Sequence, residues 1–246
     1  MLLIFLSACV PAAPVVDVSL TDSQPEPLPS STPTIVWFPP TPTQTHMPTA
    51  TVLPTLDMRS GLGAVLFTDT FTDSIHWSVG TFPDGKISAG KQAIILAVDQ
   101  PRGYLFSLRS EPTFSDFYLE ITATVSLCLA GDQYGVLFRA RDGTTFYRIV
   151  FTCDGHARLD QVKDSQTAVL QPFTSVSIFP PGAPSELRLG IWAAGNDLRF
   201  FVDDNFIFQV ADRVLAEGLI GVFARSAGET AVTVSFSDLV VWEINR

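Results

Sequence analysis

The chain has 246 residues, 46% of them hydrophobic, and a formal net charge of −10. That length suits one ordinary domain and a tail. An acidic balance without clustered Lys and Arg excludes nucleic acid as a partner, because binding phosphates takes a basic patch.

Charged residues make up only 16%, and nineteen Phe stand against four Tyr, so the chain is expected to enclose a large, flat apolar interior. Its first segment is an apolar run, LLIFL, followed by LSAC (Leu6 to Cys9). That tetrapeptide resembles the bacterial lipobox, in which a peptidase cuts before a cysteine that then carries lipid. The resemblance implies that residues 1–9 hold a signal peptide and lipobox. Cys9 would then be the lipidated residue, and the protein would be extracytoplasmic and lipid-anchored to a bacterial membrane.

Residues 10–60 have a different composition. From Val10 to Asp57 the chain holds eleven of its eighteen prolines, many Thr and Ser, and neither Lys nor Arg. Runs such as FPPTPTQT and MPTATVLPT cannot close a helix, since Pro lacks an N–H and disfavours helical geometry in the residue before it. They offer no apolar face to bury either. A disordered, partly polyproline tether is expected, reaching on the order of 150 Å at about 3.1 Å per residue.

From Gly61 to Arg246 the pattern has period two. Leu119, Ile121, Ala123, Val125 and Leu127 alternate with Glu120, Thr122, Thr124 and Ser126, which predicts a half-buried strand. Leu187, Leu189 and Ile191 alternate in the same way, as do Val232, Val234 and Phe236. Further strands are expected over 93–98, 104–108, 198–202, 206–210 and 219–224, with one helical turn within 211–217. A dozen or so short strands between Gly, Asp and Pro signals predict an all-β fold of two stacked antiparallel sheets.

The segment YGVLFRARDGTTFYRIV (Tyr134 to Val150) places three arginines in apolar ground. Asp142-Gly143 reads as a type I′ turn. That register sets Ala140 opposite Thr145, Phe138 opposite Tyr147 and Val136 opposite Ile149. It sends Val136, Phe138, Tyr147, Ile149 and Phe151 to the core, and Arg139 and Arg148 outward. A three-residue turn at Cys153-Asp154-Gly155 then brings Arg148 opposite Asp160 and Ile149 opposite Leu159, with Gly155 left-handed.

Several segments are similar to the concanavalin A-like lectin/glucanase jelly roll, in the group near family-16-glycoside-hydrolase-like and 3-keto-disaccharide hydrolase modules. They are LFTDTFTDSIHWSVG (Leu66 to Gly80), the meander Tyr134 to Leu159, the hairpin Leu187 to Val210 with Asp203-Asp204 at its turn, and the closing strands GLIGVFA and VSFSDLVVWEI. The resemblance spans Leu66 to Ile244. It implies a jelly-roll β-sandwich that binds carbohydrate or another cell-surface polymer. A glycoside-processing hydrolase and a structural or interaction domain of an envelope complex are the alternatives, because this fold hosts all three.

A family-16-type glucanase places Glu-x-Asp-x-Glu on one strand, so that two carboxylates project about 5 Å apart. That spacing is absent, which favours binding without cleavage. Asp203 and Asp204 suit a turn, and Asp69 and Asp73 flank one, as loop caps or as oxygen ligands for calcium. The three histidines, His46, His76 and His156, are dispersed, so neither a metal nor a cofactor is expected. Glu120, Arg139, Arg148 and Trp192 are the candidate ligand-binding residues. Arg148 with Asp160 and Arg139 with Glu120 also read as an ordinary charge-balanced face, and Trp192 either stacks on a sugar ring or belongs to the core. Cys128 and Cys153 either form a disulfide or remain two buried thiols. A strand between them in one sheet would hold them about 9.6 Å apart unless the loops fold over it.

Overall fold

The computed structural model describes Asp57–Ser177 and Pro181–Asn245, which belong to one compact unit spanning Pro54–Arg246. The lipobox, Cys9 and nearly all of the Pro/Thr-rich segment lie outside the described residues. Fifteen strands are formed among the described residues. They are β1 (Leu62–Asp69), β2 (Gly80–Phe82), β3 (Gly85–Gly90), β4 (Ala93–Val98), β5 (Tyr104–Leu108), β6 (Phe117–Leu127), β7 (Gln133–Asp142) and β8 (Thr145–Thr152). There follow β9 (His156–Lys163), β10 (Gln166–Ser175), β11 (Ser185–Ala194), β12 (Asp197–Val202), β13 (Asn205–Ala211), β14 (Leu219–Arg225) and β15 (Val232–Ile244).

They build two antiparallel sheets. The nine-stranded sheet runs β13-β12-β11-β6-β15-β4-β3-β2, with β1 also paired to β15. The six-stranded sheet runs β10-β9-β8-β7-β14-β5. Period two does the sorting, since alternate side chains leave opposite faces of a strand. Leu119, Ile121, Ala123 and Val125 of β6 meet Val136 and Phe138 of β7 and Tyr147, Ile149 and Phe151 of β8 in one core. Each large apolar side chain buried there stabilises the fold by roughly 1.5–3 kcal/mol. A two-layer all-β sandwich is therefore observed, as the alternation predicts.

No helix is present among the described residues. The expected helical turn after Ala211 is a loop. There Asp212 Oδ1 accepts Val214 N–H at 2.9 Å and Gln161 Nε2–H at 3.2 Å, and Tyr147 Oη–H also donates to it. Its carboxylate satisfies a turn rather than a helix end.

The meander departs from expectation at its first turn. Phe138 pairs with Tyr147 and Val136 with Ile149, as read from the sequence, but Thr145 pairs with Asp142 rather than with Ala140. Asp142 Oδ1 accepts both the N–H and the hydroxyl of Thr144 at 2.7 Å, and neither Asp142 nor Gly143 has a positive φ. An Asp side chain closing on the backbone two residues on has displaced the type I′ turn. Residues 139–141 then lie opposite Phe146 alone, in a bulge with Arg139 at φ 47°. Two extra residues keep the facing of Phe138 but turn Arg139 inward and Ala140 onto the outer face. Arg139, expected outside, has no exposed surface.

Cys128 and Cys153 are joined in a disulfide with Cα atoms 6.0 Å apart. The strand expected to separate them is no obstacle, because β6 lies in the nine-stranded sheet while β7, β8 and β9 lie in the six-stranded one. The bridge links the two layers from the end of β6 to the β8–β9 turn.

Candidate functional site

The outer face of the six-stranded sheet is not an ordinary solvated face. Leu137, Ala140, Phe146, Val150, Val162 and Phe223 form a second buried cluster there, flanked by Tyr104, Phe106, Leu108 and Leu219. Set into it is a charge cluster that period two dictates. The β8–β9 register brings Arg148 opposite Asp160 and Val150 opposite Arg158. Arg148 and Arg158 both donate to Asp160 Oδ2, at 2.8 and 2.9 Å. Asp160 has no exposed surface while Arg148 and Arg158 stay partly exposed, so this is a triad around a buried carboxylate and not the exposed pair the alternation suggested.

Aromatic rings hold both guanidinium groups. Arg158 lies 4.4 Å from the centre of the Phe173 ring, and Arg148 lies 5.4 Å from Phe223 and 5.9 Å from Tyr104. Gly135 of β7 gives this layer room. A Cβ there would come within 2.0 Å of the Ile149 carbonyl oxygen and 3.1 Å of the Phe223 ring, and its φ of 155° suits glycine.

One end of the face carries a polar row across four strands. Tyr104 pairs with Arg225, Arg225 with Gln133, and Gln133 with Thr152. At the β5 end the row meets a hollow of about 330 Å³ lined by Ser78, Phe82, Pro83, Asp84, Tyr104 and Phe106. At the β8 end it meets one of about 380 Å³ lined by Gly131, Gln133, Thr152, Asp154, His156 and Phe173. Phe173 is 42% exposed and edge-on to His156 at 6.4 Å. His156 Nδ1 lies 3.0 Å from Asp154 Oδ1. The Thr152 hydroxyl, and after it His156, hold the Asp154 carboxyl below its ordinary range. Burial pushes the Tyr104 phenol up, against the opposing charge of Arg148.

Five buried side-chain atoms lack hydrogen-bond partners among the described residues: Tyr104 Oη, Gln133 Oε1, Arg148 Nε, Arg158 Nε and Asp160 Oδ1. All five belong to this face. Buried polar atoms are nearly always paired, because leaving one unmet costs roughly 1–3 kcal/mol. These atoms are enclosed beneath the layer, so they record how tightly its charges are packed rather than contacts offered to a ligand.

The four candidates named from the sequence do not converge. Arg148 belongs to this face. Arg139 points into the end of the sandwich, donating to the carbonyls of Ser115, Gly195 and Leu215, and its carboxylate neighbour is Asp116 rather than Glu120. Glu120 lies on the outer face of the nine-stranded sheet, where it accepts the Tyr118 hydroxyl at 2.6 Å. Trp192 is on that same far face and is buried. Its indole donates to Ser60 O at 3.1 Å, and the Arg199 guanidinium lies 4.1 Å from its ring. The segment before β1 covers it, so its ring is not free to stack on a sugar.

Other acids also serve the backbone. Asp203 and Asp204, at φ 46° and 65°, make the β12–β13 turn. Asp69 accepts Phe71 N–H at 2.8 Å, Trp77 Nε1–H at 2.9 Å and Arg109 Nε–H at 3.0 Å, while Asp73 accepts Ile75 N–H. Sequence reasoning missed Arg158, Arg225, Gln133, Phe173, His156 and Tyr104 as site residues. The Gly155 turn held the signal for Arg158, two residues before Asp160 on the same face. Arg225 required the pairing of β14 with β7, strands far apart in the chain.

No protein-family model and no curated protein matches this sequence. Solved structures do match in fold. They include the carbohydrate-binding module CBM66 from Bacillus subtilis, at 17% identity and TM-score 0.52, covering 68% of this chain and 96% of that one. A galectin-like protein of unknown function, also from Bacillus subtilis, is 16% identical with TM-score 0.56 over 75% and 99% of the two chains. A β-glucanase from Bacillus licheniformis is 12% identical with TM-score 0.54 over 74% and 99%. The fold is thus the concanavalin A-like jelly roll.

Proposed function

We propose that this protein is a non-catalytic carbohydrate-binding domain, held at the outer side of a bacterial membrane by lipid on Cys9 and a Pro/Thr-rich tether. The observation that carries the binding reading is the outer face of the six-stranded sheet, where exposed Phe173 and Arg225 lie with a polar row between two hollows. Sugars suit such a face, with hydroxyls that donate and accept along the polar row and ring faces that cover an exposed aromatic. That a carbohydrate-binding module shares the fold agrees with this reading. Binding without cleavage is supported by Asp160. A retaining glycosidase needs a second carboxylate about 5 Å away, and the groups held against Asp160 are two arginines. A disulfide between the layers suits an oxidising compartment outside the cytoplasm.

The test is a glycan-array screen of the full chain, with reducing-sugar release measured on every hit. Phe173→Ala should weaken binding several-fold, whereas Glu120→Gln on the far face should leave it unchanged. Absence of any glycan ligand overturns the binding reading, and release of reducing ends from a bound glycan replaces it with a hydrolase. For the anchor, Cys9→Ser should abolish palmitate labelling and release the protein from membranes, and continued labelling would refute lipidation at Cys9.

A further inference from the structure

The charge of the candidate face has the opposite sign to that of the chain. The formal net charge of the whole chain is −10. Outward positions on the six strands nevertheless hold three arginines, Arg148, Arg158 and Arg225, beside one carboxylate, Asp160. Strand β10, along the edge, contributes no charged residue at all. Two acids, Asp154 and Asp84, lie at the rim, at the two ends of the polar row, and keep their charge. Asp154 is bound by Thr152 and His156, and Asp84 accepts the Tyr104 N–H at 3.0 Å.

Within the triad one negative charge serves two positive ones. Both guanidinium groups reach the same oxygen of Asp160, and each keeps its Nε without a partner. Arg225 is exposed in the middle of the polar row, between Tyr104 and Gln133, and forms no ion pair among the described residues. A neutral sugar would leave Arg225, in the middle of the row, without an ion-pair partner. A planar carboxylate matches the fork of a guanidinium group in shape as well as charge.

We propose that the saccharide bound on this face is acidic, a uronate-bearing polymer whose carboxylate is taken by Arg225, with the Arg148–Asp160–Arg158 triad supplying the positive field behind it. Phe173, exposed at the end of the row, gives a ring face on which the sugar can rest. This inference rests on the carbohydrate reading above and narrows its ligand class.

The experiment is titration calorimetry of the full chain with polygalacturonate and with the same polymer methyl-esterified, which keeps the sugar and removes the charge. The acid form should bind about tenfold tighter or more at low salt, as expected for a charge-assisted hydrogen bond. The gap should shrink in about 1 M salt, where screening acts within about 3 Å. Arg225→Ala, an exposed substitution that spares the core, should remove most of that gap without changing the melting temperature. Arg158→Gln should reduce it too, with circular dichroism confirming that the variant is folded. Equal affinity for acid and ester overturns the inference while the carbohydrate reading stands. Acid-selective binding that survives both Arg225→Ala and Phe173→Ala overturns it as well, since the site would then lie elsewhere. Binding of neither polymer also overturns it, and neutral hits on the array would then carry the carbohydrate reading alone.

Discussion

Arg139 is the residue on which the closed end of the sandwich depends. Its guanidinium is fully buried and donates to Ser115 O at 3.1 and 2.7 Å, Gly195 O at 2.9 Å and Leu215 O at 3.1 Å. It therefore ties together the loop before β6, the β11–β12 turn and the loop before β14. Arg139→Ala would strip those carbonyls of their donor and leave a cavity, at a cost of about 3–5 kcal/mol. Arg141→Ala, two residues on and exposed, should stay within about 0.5 kcal/mol. Urea unfolding of the two variants measures the difference, and equal stabilities would refute the anchoring role. None of this was legible in the sequence. Alternation places Arg139 outside, and only the bulge, set by Asp142 capping Thr144, turns it in. Asp160 and Arg148 were legible as a pair because the Gly155 turn fixes their register. Their burial was not, since it comes from Phe223 and Tyr104 on strands that β8 does not touch.

Among the elements, most strands follow directly from apolar alternation. β4 and β5 coincide with the expected spans, and β12, β13 and β14 differ from theirs by a residue or so at the ends. Period two is a local signal, and it survives without knowledge of partners. Sheet membership is not local. β6 and β7 are consecutive, yet one pairs with β11 and β15 and the other with β8 and β14. That crossover places Cys128 over Cys153, and reading both cysteines into one meander put a strand between them. The disulfide closes a sequence separation of 25 residues. It should stabilise the fold by about 2–4 kcal/mol, the range for a loop of that size. Peptide mapping without reduction should recover Cys128 and Cys153 in one linked species, and the double Cys→Ala variant should unfold at lower urea. Alkylated Cys128 and Cys153 in the unreduced, denatured chain would show two thiols instead.

At the scale of the molecule, both outer faces are partly covered, and that governs how the protein meets alkali. On the six-stranded side Tyr104 lies in the aromatic layer over Arg148, and on the nine-stranded side Tyr118 packs against Trp242 and Phe201. Tyr134 and Tyr147 are in the core between the sheets. These four are all the tyrosines of the chain, and burial raises the phenol of each above its ordinary value. The Glu120 carboxylate adds to the effect at Tyr118, and Asp212 adds to it at Tyr147, which is pushed up to about 12. An unfolded tyrosine loses its proton near pH 10. Above that pH the unfolded chain holds fewer protons than the folded one, so the stability of the fold falls as pH rises. The contribution is intact below about pH 10 and is lost as pH climbs through the raised values, near 12 for Tyr147. Phenolate absorbance should therefore stay flat through pH 10 and then rise in one step, together with loss of near-ultraviolet circular dichroism. In denaturant the same absorbance should titrate as free tyrosine does. A phenolate signal appearing near pH 10 while the dichroism remains native would mean that at least one of the four rings is open to solvent, contrary to the layering of the two faces.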